Sequence, residues 1–289
     1  MRAIAYFAAV SLALCAHPAA AASFFFSTGD PDGRLGALSG PSVTGHETET
    51  ADDFVLTQAT RLTSATFTGL VRDPNGSATV TGVSVEIYRV FPFDSDVGRT
   101  SGPPTFSTPQ VPTRVNSPSD VEFTSRDAPG GLSFTTGGLG SFTASNSVEL
   151  GINPQPNIFT GGEGPVSGAE EVFSVNFTTP FDLAAGHYFF VPQVTLSDGA
   201  SFFWLSAPRP IVPPGTPFPG GFTDLQAWIR NDNLAPDWLR IGTDITHQGP
   251  FNMAFSLNGA TVPEPAAWAT MLLGFGLAGA AMRRRARAA

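Results

Sequence analysis

The sequence contains no lysine, and its one cysteine, Cys15, lies near the N-terminus in a segment that we expect to be removed. The remaining chain would then have no thiol, which excludes disulfides, a cysteine nucleophile and thiolate metal sites. A domain without these cross-links must be held together by its own core. Residues 23–262 are numerous enough for one large β domain or two small ones.

Histidine is also scarce. His46, His187 and His247 remain outside the N-terminal segment, and none has a two-histidine metal spacing such as H-x-H or H-E-x-x-H. His46 precedes two glutamates, which leaves a loop metal site open, although a solvated loop is the simpler interpretation. His187 is expected to be structural. No G-x-S-x-G elbow is present, so a serine hydrolase of that type is not indicated, and we expect no enzyme activity.

Positive charge is rare between the two ends of the chain. Residues 23–262 contain ten arginines against 23 aspartates and glutamates, a formal charge of −13. Such a domain repels nucleic acid and anionic lipid, which leaves neutral or cationic partners and divalent cations. Solubility is the simplest reason for the acidity.

Many of the acidic residues occur in pairs. The pairs are Asp30/Asp32, Asp52/Asp53, Asp94/Asp96 and Glu170/Glu171. A glycosidase needs two carboxylates that face each other across a cleft, and the spacing of these pairs does not predict that arrangement. Polysaccharide hydrolysis is therefore the least favoured of the three functions that we consider. The stretches 30–33 and 94–96 leave Ca²⁺ open, because hard cations favour clustered oxygen ligands. The full EF-hand spacing is absent, and we expect no other metal or cofactor.

No long stretch has the helical period, whereas several short ones alternate with period two. The predicted strands include 64–71, 82–90, 171–178, 187–196, 201–205 and 251–257. Their separation by Gly- and Pro-rich turns predicts an all-β fold, an antiparallel β-sandwich of jelly-roll-like type over residues 23–260. A division into two domains near 155–168 remains open. The proline-rich stretches 92–120 and 208–221 should contain no central strand.

The N-terminus has the features of a secretory signal peptide. Arg2 precedes an apolar run over 3–14, and the small residues Ala20-Ala21-Ala22 lie just before Ser23. This pattern predicts a signal peptide over residues 1–22, cut between Ala22 and Ser23, and export through the Sec pathway. A lipoprotein signal at Cys15 is disfavoured, because the preceding Leu14 is too bulky for that cleavage site.

The C-terminal segment, residues 261–289, combines a tripeptide, an apolar run and an arginine cluster. These are Pro263-Glu264-Pro265, residues 266–282, and Arg283, Arg284, Arg285 and Arg287. Prolines keep the chain extended and prevent a helix from continuing backwards into the domain. The apolar run predicts one transmembrane helix of marginal length, about 25 Å, with the arginines on the cytoplasmic side. We interpret this helix as a temporary stop in the membrane during export. A permanent membrane anchor is the alternative interpretation.

This segment resembles the PEP-CTERM sorting signal of exported bacterial proteins in its variant PEPxxWAxMLxGFGLxGxxxRRR. The matching residues are Pro263-Glu264-Pro265, Trp268-Ala269, Met271-Leu272, Gly274-Phe275-Gly276-Leu277, Gly279 and the arginine cluster. The resemblance implies that an exosortase, a membrane-embedded cysteine transpeptidase-like enzyme, recognises and cuts the tripeptide. It also implies a precursor that passes once through the inner membrane, and delivery to the cell surface or the extracellular space, with a link to exopolysaccharide and biofilm.

The stretch around Trp228 and Trp238 is the densest in chemistry within the domain, and Trp204 could extend it. Indoles stack on the apolar faces of sugars, while nearby carboxylates, amides and arginines bind hydroxyls. These three tryptophans are therefore candidate sugar-binding residues. The alternative is that they belong to the core, with Arg230 and Arg240 paired to nearby aspartates. The leading function is a structural or matrix protein of the cell surface, followed by a carbohydrate-binding module.

Overall fold

A computed structural model describes residues 21–41, 45–95, 114–152, 159–262 and 265–286. Its strands are β1 (Ser23–Ser27), β2 (Gly36–Leu38), β3 (Gly40–Pro41), β4 (Glu47–Leu56), β5 (Thr60–Arg72), β6 (Val80–Arg89), β7 (Thr124–Asp127), β8 (Leu132–Ala144), β9 (Ser147–Val148), β10 (Val166–Leu183), β11 (Gly186–Leu196), β12 (Ser201–Ala207), β13 (Trp228–Asn231), β14 (Leu239–Arg240), β15 (Asn252–Met253) and β16 (Phe255–Thr261). A π-helical turn spans Ile241–Ile245, and one helix, α1, spans Pro265–Ala286.

The strands form two sheets within one compact unit, Ser23–Thr261. Sheet I has the order β1-β16-β5-β12-β2-β9, with β10 and then β8 along the other edge of β5, and β15 beside β12. Sheet II has the order β14-β13-β4-β11-β6-β7, with β3 beside β4. The short β2–β9 pair is parallel, and the other strand pairs in the described part of the chain are antiparallel. The predicted all-β class with antiparallel pairing is confirmed.

The two sheets pack face to face through aromatic side chains. Phe190 of sheet II stacks on Phe255 of sheet I, with 5.1 Å between ring centroids. The same ring meets Trp204 edge-on at 5.9 Å and Phe67 at 6.3 Å. All of these rings are buried, so the apolar face of each sheet is covered by the other, as in a β-sandwich.

The alternating stretches lie in strands with the predicted faces. Phe173, Val175 and Phe177 are all buried on the inner face of β10. The predicted strand over 251–257 is divided instead between β15 and β16, because Ala254 lies at the point where the chain changes partners from β12 to β5. Its carbonyl oxygen accepts hydrogen bonds from Trp204 Nε1 at 2.9 Å and from the Thr68 amide at 3.2 Å.

The C-terminal helix α1 can be compared with the transmembrane helix that the sequence predicts. α1 covers the predicted helical run 266–282, but no helix in the described part of the chain is long and apolar enough to cross a membrane. The predicted transmembrane helix is therefore not supported.

Truncating the ring that joins the two sheets tests the sandwich. Phe190→Ala should lower the free energy of unfolding by about 3–5 kcal/mol, because it leaves a cavity between the sheets. Phe93→Ala removes the same group from a side chain that is 64% exposed and should change it by no more than about 0.5 kcal/mol. Urea unfolding followed by tryptophan fluorescence measures both values. Equal effects of the two substitutions would contradict the packing.

Candidate functional site

The two ends of the compact unit are neighbours in sheet I. Strand β1 begins at Ser23 and pairs with β16, with Ser23 opposite Ala260. Paired residues of antiparallel strands have Cα atoms about 5 Å apart. Ala22 and Ser23, between which signal cleavage is predicted, are both exposed. The two flanking segments therefore join the domain at adjacent positions of one strand pair.

The predicted sorting tripeptide follows the last strand almost directly. β16 ends at Thr261 and Val262 is 41% exposed, whereas Pro263 and Glu264 lie outside the described residues. Pro265 is the first residue of α1. In the sequence only Val262 separates the last residue of β16 from the tripeptide.

The arginine cluster lies at the other end of α1. Arg283 is exposed, Arg284 and Arg285 belong to the last helical residues, and Arg287 lies outside the described residues. The middle of the helix carries large exposed apolar side chains, namely Leu272, Leu273, Phe275, Leu277 and Met282. Leu277, for example, is 72% exposed. An apolar helix followed by cations is thus present in the order that a sorting segment requires.

The three tryptophans that the sequence nominates for sugar binding are fully buried. Trp204 belongs to the core between the sheets. Trp228 and Trp238 belong to a second cluster on the outer face of sheet II, where Trp238 donates from Nε1 to the Ser119 carbonyl oxygen at 3.1 Å. A sugar stacks only on an accessible ring face. The sugar-binding prediction for these residues is therefore wrong, and they are core residues.

Arg230, between these tryptophans in sequence, is the centre of a buried polar network. Its Nε atom lies 2.5 Å from a Glu49 carboxylate oxygen, and its Nη2 atom donates to the Tyr88 hydroxyl at 2.8 Å. Its guanidinium carbon also lies 4.4 Å from the centroid of the Trp238 ring. The Asp120 carbonyl oxygen accepts a further bond at 3.1 Å. The network fastens the covering segment 114–120 to sheet II, which is a structural role.

The adjacent Asp52 and Asp53 are buried on opposite faces of β4. Burial raises the pKa of both carboxyls, and for Asp52 the neighbouring Asp53 adds to the shift. Asp52 accepts a hydrogen bond from the Met253 amide at 2.7 Å. Asp53 binds His187 Nε2 and the Gln226 amide. These carboxyls fasten neighbouring strands and do not face each other across a cleft.

The other candidate ligands are dispersed. Asp32 accepts hydrogen bonds from the Ser206 hydroxyl at 2.5 Å and the Arg34 amide at 3.0 Å, and Asp94 lies 3.5 Å from Arg89. His46 lies 2.9 Å from Asp232, the His247 ring packs against Phe159, and Asp96 is outside the described residues. Within the described ranges no group of three or more histidines, cysteines or carboxylates could hold a metal ion.

One juxtaposition is not apparent from the sequence pairs. Asp30 and Glu170, from different pairs, line a single groove of ≈ 640 Å³ on the outer face of sheet I. Burial, with a smaller contribution from Asp30, raises the pKa of Glu170. Phe25, 53% exposed, and Leu139, 59% exposed, contribute apolar walls. The fold brings Asp30 and Glu170 into one groove, so their separation in the sequence could not have predicted this juxtaposition.

These observations define a two-part chain, a folded β domain followed at once by a short helical C-terminal segment. The family model of the PEP-CTERM protein-sorting motif matches residues 261–285, which covers that segment. The motif implies export to the cell envelope or surface and an exosortase as the processing partner. Neither the curated proteins nor the solved structures contain a match to the chain.

Truncating a buried indole tests the corrected role of the tryptophans. Trp238→Ala should lower the free energy of unfolding by about 3–5 kcal/mol, because it opens a cavity and removes one of the two aromatic rings that contact Arg230. The more conservative Trp238→Phe should recover part of that loss. Urea unfolding of both variants checks the order. A Trp238→Ala protein as stable as the parent would restore the possibility of a surface role.

Glu86 offers a pH-dependent test of the polar network. Burial and the nearby Glu49 raise its pKa to about 7, although it accepts a hydrogen bond from the Tyr88 hydroxyl at 2.9 Å. The folded state thus binds the proton more tightly than the unfolded state, whose pKa is about 4.3. Stability from this residue is therefore complete below pH 4 and is lost as pH rises to about 7.

Glu86→Gln removes this titration and retains an acceptor for Tyr88. The variant should be about 1–2 kcal/mol more stable than the parent at pH 7.5, after allowance for solvent screening, and nearly equal to it at pH 4. Urea unfolding at pH 4, 5.5 and 7.5 measures the difference at each pH. A difference that does not change with pH would contradict the raised pKa.

Proposed function

We propose that the chain is an exported, non-enzymatic β-sandwich protein that an exosortase cuts at Pro263-Glu264-Pro265. In this proposal the mature domain is retained at the cell surface or in the extracellular matrix, in contact with exopolysaccharide. The observation that carries the proposal is the match of the PEP-CTERM protein-sorting motif to residues 261–285. That match concerns delivery and processing, and the matrix association is the further step that we propose.

The position of the processing sites supports the first part. The compact unit is Ser23–Thr261, signal cleavage is predicted between Ala22 and Ser23, and the tripeptide begins at Pro263. Both cuts would fall in the chain just outside the paired ends of β1 and β16. Processing at both ends would therefore remove no strand residue, and the sandwich would stay whole.

The roles of the domain's polar residues support a non-enzymatic function. Buried carboxyls such as Asp52, Asp53 and Glu49 are engaged in strand-to-strand or arginine contacts. Arg72 binds Glu149 through two hydrogen bonds, at 2.8 and 2.6 Å. Such contacts hold a domain that has no disulfide, which suits a matrix protein exposed outside the cell.

Altering the tripeptide tests processing. Pro263→Ala/Pro265→Ala should leave the precursor uncut, because alanine no longer keeps the recognition segment extended. Expression of the full chain in a host with an exosortase, followed by intact-mass measurement in each cell fraction, gives the position of the C-terminus. The parent should end near Pro263–Pro265, and the variant should retain Arg287 and Ala289.

The chain offers a matched control in its own Pro-Phe-Pro stretch. Pro217→Ala/Pro219→Ala makes the same two substitutions in a loop of the domain and should be processed like the parent. A parent protein that keeps Arg287 in every fraction would refute sorting by this route. Equal loss of processing in both double variants would instead attribute the effect to folding.

A further inference from the structure

The outer face of sheet I carries two continuous rows of uncharged side chains, polar except for Phe25, that cross five strands in the order β1, β16, β5, β10, β8. The first row is Ser27, Ser256, Thr66, Ser174 and Thr135, and the second is Phe25, Asn258, Ser64, Asn176 and Ser133. Each residue is the cross-strand partner of the next in its row. We call these ten residues the hydroxyl face. All ten are at least partly accessible to solvent.

The row between the two rows of the hydroxyl face is apolar. This agrees with the strand register, in which successive residues point to opposite faces of the sheet. The apolar row consists of Phe26, Leu257, Ala65, Val175 and Phe134, paired in the same strand order. Four of these are buried, and Phe134 packs against the same core. Because side chains alternate between the faces of a strand, an apolar row beneath fixes the two polar rows outside.

The hydroxyl face differs from an ordinary solvated sheet surface in having no charge. A soluble surface of this kind commonly contains about 25–35% charged residues, yet neither row contains one. Nine of the ten residues are Ser, Thr or Asn, whose side chains both donate and accept hydrogen bonds. Thr66 and Ser256 are already joined by a hydrogen bond of 2.6 Å between their hydroxyl oxygens.

The spacing of the face suits an extended polymer. Neighbouring strands are about 4.8 Å apart, so each row extends about 19 Å over five strands. The ≈ 640 Å³ groove includes Ser27, Thr66 and Ser256 of the first row and Phe25 of the second. Phe25, 53% exposed, offers an apolar ring on which the carbon face of a sugar can stack.

The charges around the face select the kind of polymer. Asp30 and Glu170 lie in the same groove, and the domain as a whole is acidic, so a polyanion would be repelled. The nearby Arg61 is bound to Asp182 through bonds of 2.7 and 2.9 Å. The two carboxylates would attract a polycation only at the groove, because the ten residues of the rows contain no carboxylate. Hydroxyls that donate and accept best match another neutral, hydroxyl-rich surface.

We propose that the hydroxyl face binds a neutral polysaccharide chain laid across the strands, with Phe25 as its stacking residue. This inference rests on the proposed association with exopolysaccharide and assigns that association to a surface and a chemical class. It replaces the buried tryptophans with residues from five strands. The binding surface then belongs to the folded sandwich, and processing at the C-terminus leaves it intact.

The test is affinity electrophoresis of the full chain in a polyoxyethylene detergent, which has no sugar headgroup to compete. Gels contain hydroxyethyl cellulose or dextran as neutral polymers, or alginate as a polyanion. The parent should be retarded by at least one neutral polymer, equally with and without 0.5 M NaCl. Asn176→Glu/Thr135→Glu should raise the apparent Kd at least tenfold, because it buries two charges under the polymer. Phe25→Ala should also weaken binding.

The control is Thr57→Glu/Thr81→Glu, which adds the same charge at exposed threonines outside the face and should bind like the parent. Unchanged urea unfolding of the variants separates lost binding from lost folding. No retardation by the neutral polymers, equal retardation of both glutamate variants, or retardation only by alginate would each overturn the proposal. Intact-mass analysis of the same variants is independent, so normal processing without binding would reject the face and leave the sorting function standing.

Discussion

The pairing of strand β5 on both of its edges is the interaction on which the rest of sheet I depends. One edge pairs with β10 over most of its length, while the other pairs first with β16 and then with β12. The change of partner is possible because Gly69 has no side chain. A Cβ at Gly69 would overlap the Phe202 ring and lie 2.6 Å from the Phe203 carbonyl oxygen. Strand β5 thus joins the N-terminal, central and C-terminal parts of the chain without a disulfide.

The two outer faces of the sandwich differ, because the face of sheet II is covered by another segment of the chain and the hydroxyl face of sheet I is open to solvent. On sheet II, segment 114–120 covers Trp238 and Tyr88, and the cover is held by the buried Arg230. Moving segment 114–120 away would expose an apolar cluster and leave buried charges unpaired, and both changes are unfavourable in free energy. On sheet I the hydroxyl face carries short polar side chains that water can satisfy equally well. A covered face stabilises the fold, whereas an open, uncharged face is available to a partner.

The sequence predicts the features that depend on neighbouring residues along the chain. Alternation in Phe173, Val175 and Phe177 is enough to place one face of β10 in the core. Composition does not reveal that Trp238 is a core residue, because its burial depends on the distant segment 114–120. Of the arginine pairs, Arg240 binds nearby Asp244, but Arg230 binds Glu49, which is its cross-strand partner from β4. Register between strands far apart in sequence decides such contacts.

The end of the compact unit and one edge of the hydroxyl face lie in the same pair of strands, β1 and β16. Asn258 belongs to the face, whereas Thr261, three residues later, is the end of the compact unit. The rows run across the strands, but the chain leaves β16 along its length. A polymer that follows the rows therefore crosses β16 and does not run along it to its end at Thr261. All ten residues of the face precede the predicted processing site, so a cut at the tripeptide would remove none of them.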